Sequence, residues 1–142
     1  MRAPRIRFAL VLGLIASVGC ASDPHPAADL AAAVESRIAE VEAAGGTVRL
    51  AAFVVTDGVF NSELMAPYDV LHHTVFRDSL DYVEPVVVSP DGGPVTTFEG
   101  LRVDAHYSFA TAPRADILVI PSTDGSLDRD LDDDAYMSYV TR

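Results

Sequence analysis

Two short apolar runs constrain this chain more than any other feature. Val48-Arg49-Leu50-Ala51-Ala52-Phe53-Val54-Val55 and Ala115-Asp116-Ile117-Leu118-Val119-Ile120-Pro121 are almost continuous in apolar residues and rich in β-branched ones. A strand with one wet face alternates in polarity; a strand covered by helices on both faces does not. The runs therefore predict buried strands of a parallel sheet. Parallel neighbours need long crossovers, so helix is expected between them.

The intervening pattern supplies it. Thr56-Asp57-Gly58 makes a turn, Asn61 or Ser62 is placed to cap a helix, and Leu64, Tyr68 and Leu71 form its apolar stripe. Pro67, with no N–H to donate, belongs in an early turn or kinks that helix. Val86-Val87-Val88 predicts another strand. The turn Pro90-Asp91-Gly92-Gly93-Pro94 follows, with extended pieces near Val95–Thr97 and Leu101–Val103, which reads as a hairpin excursion. After Pro121 come a Ser/Thr/Gly loop, an acidic segment and a helix over Ala135–Val140. This order implies a doubly wound, flavodoxin-like α/β sheet with right-handed crossovers. Ligands of such sheets bind beyond the carboxyl ends of the strands, here Asp57–Glu63 and Pro121–Ser126.

The first nineteen residues read as an export signal. Arg2, Arg5 and Arg7 precede the eleven-residue apolar run Phe8–Val18, too short to span a bilayer comfortably. Ser17-Val18-Gly19-Cys20 is similar to the lipobox of bacterial lipoproteins, which makes Cys20 the expected lipid anchor and the cell envelope the expected location. The competing reading is a plain signal peptide with an incidental thiol. Residues 20–46 then form a tether and an Ala-rich helix. Leu30, Val34, Ile38 and Val41 make its stripe, Asp29 is a candidate N-cap, and Gly45-Gly46 is a stop.

Composition narrows the function classes. The 142 residues allow one domain, and the net charge of −11 comes from 21 acidic side chains against ten arginines. Removing residues 1–19 takes three of those arginines and leaves −14. This balance disfavours a nucleic-acid partner, because phosphate binding needs a basic face to release counterions. With one cysteine there is no disulfide framework, and the fold must rest on its core.

Phe53-Val54-Val55-Thr56-Asp57-Gly58-Val59-Phe60, followed by Glu63-Leu64-Met65-Ala66-Pro67-Tyr68-Asp69-Val70-Leu71, resembles the opening of ThiJ/PfpI domains, of the class I glutamine-amidotransferase-like superfamily. There a strand ends in Asp-Gly or Pro-Gly, an acid follows, and a helix with a Gly-Pro-x-Glu-Val-Phe motif comes next. Ala115–Pro121 is similar to the family's Ala-Asp-hydrophobic-Pro-Gly-Gly strand. Ser122 and Thr123 replace the two glycines whose amides help form an oxyanion hole in relatives. The resemblance covers residues 47–142.

It implies a nucleophilic cysteine on a turn after the next strand, with an acidic partner that tunes its thiolate. Glu63 matches the acid. No cysteine follows Cys20, so the domain is expected to be truncated before the nucleophile elbow, and catalysis by these 142 residues alone is unsupported. Asp57, Gly58, Ser122 and Thr123 are the expected oxyanion or ligand loop. An exposed first-turn carboxylate is the ordinary alternative for Glu63.

Other constellations carry less. His72 and His73 point about 100° apart on a helix and cannot clamp one metal; His106, near Tyr107 and Phe109, is expected to be packed. Asp128-x-Asp130-x-Asp132 copies the start of an EF-hand loop, but Asp133 stands where glycine is needed and Tyr139 where the bidentate glutamate belongs. The cluster Asp124–Asp134 is therefore expected to be a solvated, helix-capping face. No cofactor or metal is called for. The expected function is part of an exported cysteine-dependent hydrolase or hydratase acting on small molecules. The alternative is a non-catalytic domain that binds a small molecule or a partner. Half a parallel sheet leaves an open edge, which dimerisation would cover.

Overall fold

A computed structural model describes residues 26–142. Helix α1 (Pro26–Ala43) leads into β1 (Thr47–Val54), α2 (Asn61–His72), a 3-10 turn at His73–Phe76 and β2 (Asp81–Ser89). The two-residue strands β3 (Val95–Thr96), β4 (Arg102–Val103) and β5 (Tyr107–Ser108) precede β6 (Ile117–Val119) and α3 (Asp134–Val140). Cys20 and the export segment lie outside the described residues.

The main sheet is wholly parallel in the order β5-β2-β1-β6, and β3 and β4 form the expected antiparallel hairpin. This is the doubly wound, flavodoxin-like arrangement. Leu50, Ala52 and Val54 of β1 face α1 and α3, meeting Val34, Ile38, Tyr136 and Tyr139. Ala51, Phe53 and Val55 face the other way, onto Leu64, Tyr68 and Leu71 of α2. Every residue from Leu50 to Val55 is buried, which is why that run shows no polar alternation.

Boundaries differ from the sequence pattern at the starts of α1 and β2. Helix α1 starts at Pro26, three residues before the expected cap Asp29, because proline fits a first turn that needs no N–H; Asp29 lies in that first turn, where the helix dipole favours it. Gly45 ends α1 at φ +85°, as its position suggests. Strand β2 begins five residues before Val86 and runs through Pro85, which stands opposite Ala51. The backbone of Val83 bonds Thr74, and that of Val87 bonds His106, both away from β1. Pro85 shares that side, so its missing N–H leaves the β1–β2 ladder whole.

Helix α2 is not capped by Asn61 or Ser62. Its N-cap residue Phe60 makes no side-chain cap, and the Asn61 N–H donates instead to Glu99 at 3.1 Å, from the far end of the β3–β4 hairpin. Strand β6 is paired on one side by β1. Among the described residues no strand covers its other edge, where Leu118 and Ile120 are 41% and 52% exposed.

Candidate functional site

The carboxyl ends of β1 and β6 are tied together by the turn that follows β1. The turn sits between two other segments and bonds both. On one side, the Gly58 N–H donates to Thr96 O (2.8 Å), the Thr96 N–H to Asp57 Oδ1 (2.7 Å) and the Phe98 N–H to Val59 O (3.0 Å). On the other, the Phe60 N–H donates to Ser122 O (3.0 Å), the Asp124 N–H to Gly58 O (3.2 Å), and Val59 forms an antiparallel bridge with Thr123. Gly58 is required twice over: its φ is +85°, and a Cβ there would meet the Asp124 carboxylate.

Glu63, in the first turn of α2, reaches across this layer. Its Oε2 accepts the Ser122 N–H at 2.8 Å. The carboxyl is held below the ordinary glutamate value, first by the Ser122 hydroxyl and then by its amide; of these two, the amide has hydrogen-bond geometry. The Thr123 N–H donates to Ser126 Oγ at 2.6 Å. Glu63, Ser122, Thr123, Asp57 and Gly58 thus meet at one rim, and both loop amides have acceptors from within the chain.

A polar cleft of about 350 Å³ opens beside this layer, lined by Thr56, Asp57, Asp91, Arg129, Asp130 and Asp133 among others. The Arg129 guanidinium donates to Asp57 O (2.7 Å) and to Asp130 Oδ1 (3.2 Å). Asp130 is buried and also accepts the hydroxyls of Thr123 (2.6 Å) and Thr56 (3.2 Å). It corrects the expectation of a fully solvated acidic face: that carboxylate braces the ends of β1 and β6 from beneath. Asp133 does what a capping acid should, accepting from Ala135 N and Tyr136 N at the start of α3. Nothing local in the sequence separates Asp130 from its neighbours, because its partners lie 74 and 7 residues away.

The histidines behave as ordinary structural residues. His72 stacks on Tyr68 with centroids 6.4 Å apart, and His73 Nδ1 lies 2.7 Å from Asp69 O. His106 Nδ1 accepts the Val87 N–H at 3.0 Å, standing in for a strand at the edge of β2. Burial lowers its pKa below 6.5, with Glu84 opposing.

No family model matches this chain, and no curated protein does. Solved structures do. A ThiJ/PfpI family protein from Pseudomonas syringae matches 66% of this chain and 37% of its own at 26% identity, with a TM-score of 0.52. The chain is related to the ThiJ/PfpI family. A DJ-1 superfamily protein from Agrobacterium tumefaciens matches 53% of this chain and 38% of its own at 28% identity, with a TM-score of 0.40. The chain spans less than two fifths of the length of either structure. Against the ThiJ/PfpI pattern, the loop after β6 departs at Ser122 and Thr123, neither of which has a positive φ. Two residues with Cβ atoms are accommodated there without backbone strain.

Proposed function

We propose that this chain is the N-terminal part of an exported, cysteine-dependent hydrolase or hydratase of the ThiJ/PfpI type, acting on a small carbonyl, amide or isonitrile-like substrate. The observation that carries this reading is the contact of Glu63 with the Ser122 amide at the carboxyl ends of β1 and β6. An acid and a backbone donor there suit a thiolate's attack: one tunes the sulfur, the other stabilises the developing oxyanion. The open edge of β6 suits a further strand that carries the nucleophile. Arg2, Arg5 and Arg7, the apolar run Phe8–Val18 and Cys20 support export and lipid anchoring in the cell envelope.

The test is expression of the complete reading frame that contains this sequence, with small-ester, amide and isonitrile turnover measured before and after iodoacetamide. Activity abolished by alkylation and by Glu63→Ala supports the assignment; alkylation-insensitive turnover, or none, refutes it. Palmitate incorporation at Cys20 tests the anchor separately, and an unmodified mature N-terminus would remove it.

A second reading, a non-catalytic small-molecule-binding domain, is favoured by one specific observation. The amides of Ser122 and Thr123 both already have acceptors within the chain. Saturable ligand binding by a complete protein without turnover would select it.

A further inference from the structure

We propose that Glu63 is the resident occupant of the oxyanion position: the protein holds its own carboxylate on the Ser122 amide, and a ligand oxygen enters only by displacing it. This rests on the preceding reading of the Ser122 and Thr123 amides as the oxyanion donors and concerns how that site is regulated.

The loop that carries the Ser122 N–H is anchored without Glu63. The carbonyl of Ser122 is fixed by the Phe60 N–H at 3.0 Å, and the next residue, Thr123, is bridged to Val59. The amide thus sits on an anchored loop, and the exposed Glu63 side chain comes to it. A carboxylate is the stronger kind of acceptor for a backbone amide, stronger than the Ser126 hydroxyl that takes the Thr123 N–H at 2.6 Å. Glu63 is also exposed, so its carboxylate regains water at once when it leaves. The geometry thus combines a donor on an anchored loop, a charged internal acceptor and an easy exit for that acceptor.

The consequence is a two-state site. With Glu63 on Ser122 the donor is blocked, while Oε1 of Glu63 stays free to face a nucleophile. With Glu63 released, the Ser122 amide becomes available to a ligand oxygen. The arrangement is an autoinhibitory contact, and it prevents the Ser122 donor from taking stray oxyanions in the resting protein.

Acetate, which carries the same functional group as the Glu63 side chain, is the probe. Amide exchange and ¹H–¹⁵N spectra of the full-length chain in detergent micelles are recorded with and without acetate. Added salt screens the strong negative charge. In the wild type, Ser122 is protected and acetate leaves its resonance unmoved. In Glu63→Ala, Ser122 exchange accelerates several-fold, and acetate restores protection with a saturable shift of the Ser122 resonance. Glu63→Gln keeps a neutral acceptor and shows the same rescue at higher acetate. Equal acetate shifts in wild type and variants would overturn self-occupancy, and no shift in either variant would overturn the site itself. A complete protein without thiol-dependent turnover would end the preceding reading while leaving the acetate result standing.

Discussion

The buried carboxylate of Glu84, on the α1 face of β2, receives the guanidinium of Arg37 from α1. Glu84 is 4% exposed, whereas the Arg37 side chain is about half exposed. The pair fixes α1 on the sheet beside Val34, and no apolar periodicity reveals it. Removing the arginine strands a charge that the strand cannot re-solvate. Arg37→Ala is expected to lower stability by about 2 kcal/mol, less than for a fully buried pair because Arg37 is half in water. Adding Glu84→Gln should recover at least half of that loss. Urea midpoints of the two variants check this, and a double variant no more stable than Arg37→Ala would contradict it.

His106 gives a pH dependence of defined sign. Its Nδ1 must keep a lone pair for the Val87 N–H, so the folded state favours neutral imidazole, and burial lowers its pKa below 6.5. The unfolded chain then binds the proton first as pH falls. Stability from this residue is fully present above 6.5 and drains away as pH drops through the lowered folded value. Urea unfolding at a series of pH values should show this slope in the wild type and lose it in His106→Gln. An unchanged slope in the variant would assign the effect elsewhere.

How much of this was legible depended on whether the partners were local. Val48–Val55 announced itself because both faces of β1 are covered, and Leu64, Tyr68 and Leu71 because one helical stripe meets one sheet face. Strand β2 was visible only as Val86–Val88, since Pro85 argues against a central strand unless the free side of its backbone is known. Strand β5 is two residues long and is defined by its pairing to Val88 and Ser89, with no periodicity of its own. Within the site, Glu63 and the loop after Pro121 stood out through their resemblance to family motifs. Asp130, Arg129 and Glu99 did not, because their roles depend on Thr56, Asp57 and Asn61, each far away in sequence.

Two glycines share φ +85° but differ in surroundings, and the difference can be measured. A Cβ added at Gly45 would meet nothing within 4 Å, whereas one at Gly58 would press against the Asp124 carboxylate. Gly45→Ala should lose about 1 kcal/mol from the left-handed backbone alone. Gly58→Ala should lose about 2 kcal/mol, the same backbone cost plus displacement of Asp124. Asp124→Ala in the Gly58→Ala background should recover the second part only. Equal melting-temperature losses for the two glycine variants would mean that Asp124 moves aside freely.

Helix α3 has seven residues, too few to persist in water without help, and it supplies Tyr136 and Tyr139 to the core. Tyr139 stacks on Phe109 with centroids 4.7 Å apart. Its start depends on one side chain: Asp133 Oδ1 accepts the Ala135 N–H at 2.8 Å and the Tyr136 N–H at 3.0 Å. Asp133→Ala should therefore cost about 1 kcal/mol, and Asp133→Asn only a few tenths, because asparagine offers the same acceptor. Asp134→Ala removes a favourable dipole contact without a cap bond, and should cost about 0.3 kcal/mol. The chain has no tryptophan and five tyrosines, two of them Tyr136 and Tyr139, so near-ultraviolet tyrosine circular dichroism, compared with the same spectrum of a Tyr136→Phe, Tyr139→Phe variant, reports this region. The signal should weaken in Asp133→Ala before global unfolding and stay intact in Asp134→Ala. If both variants behave alike, packing of Tyr136 and Tyr139, and not the cap, sets the start of α3.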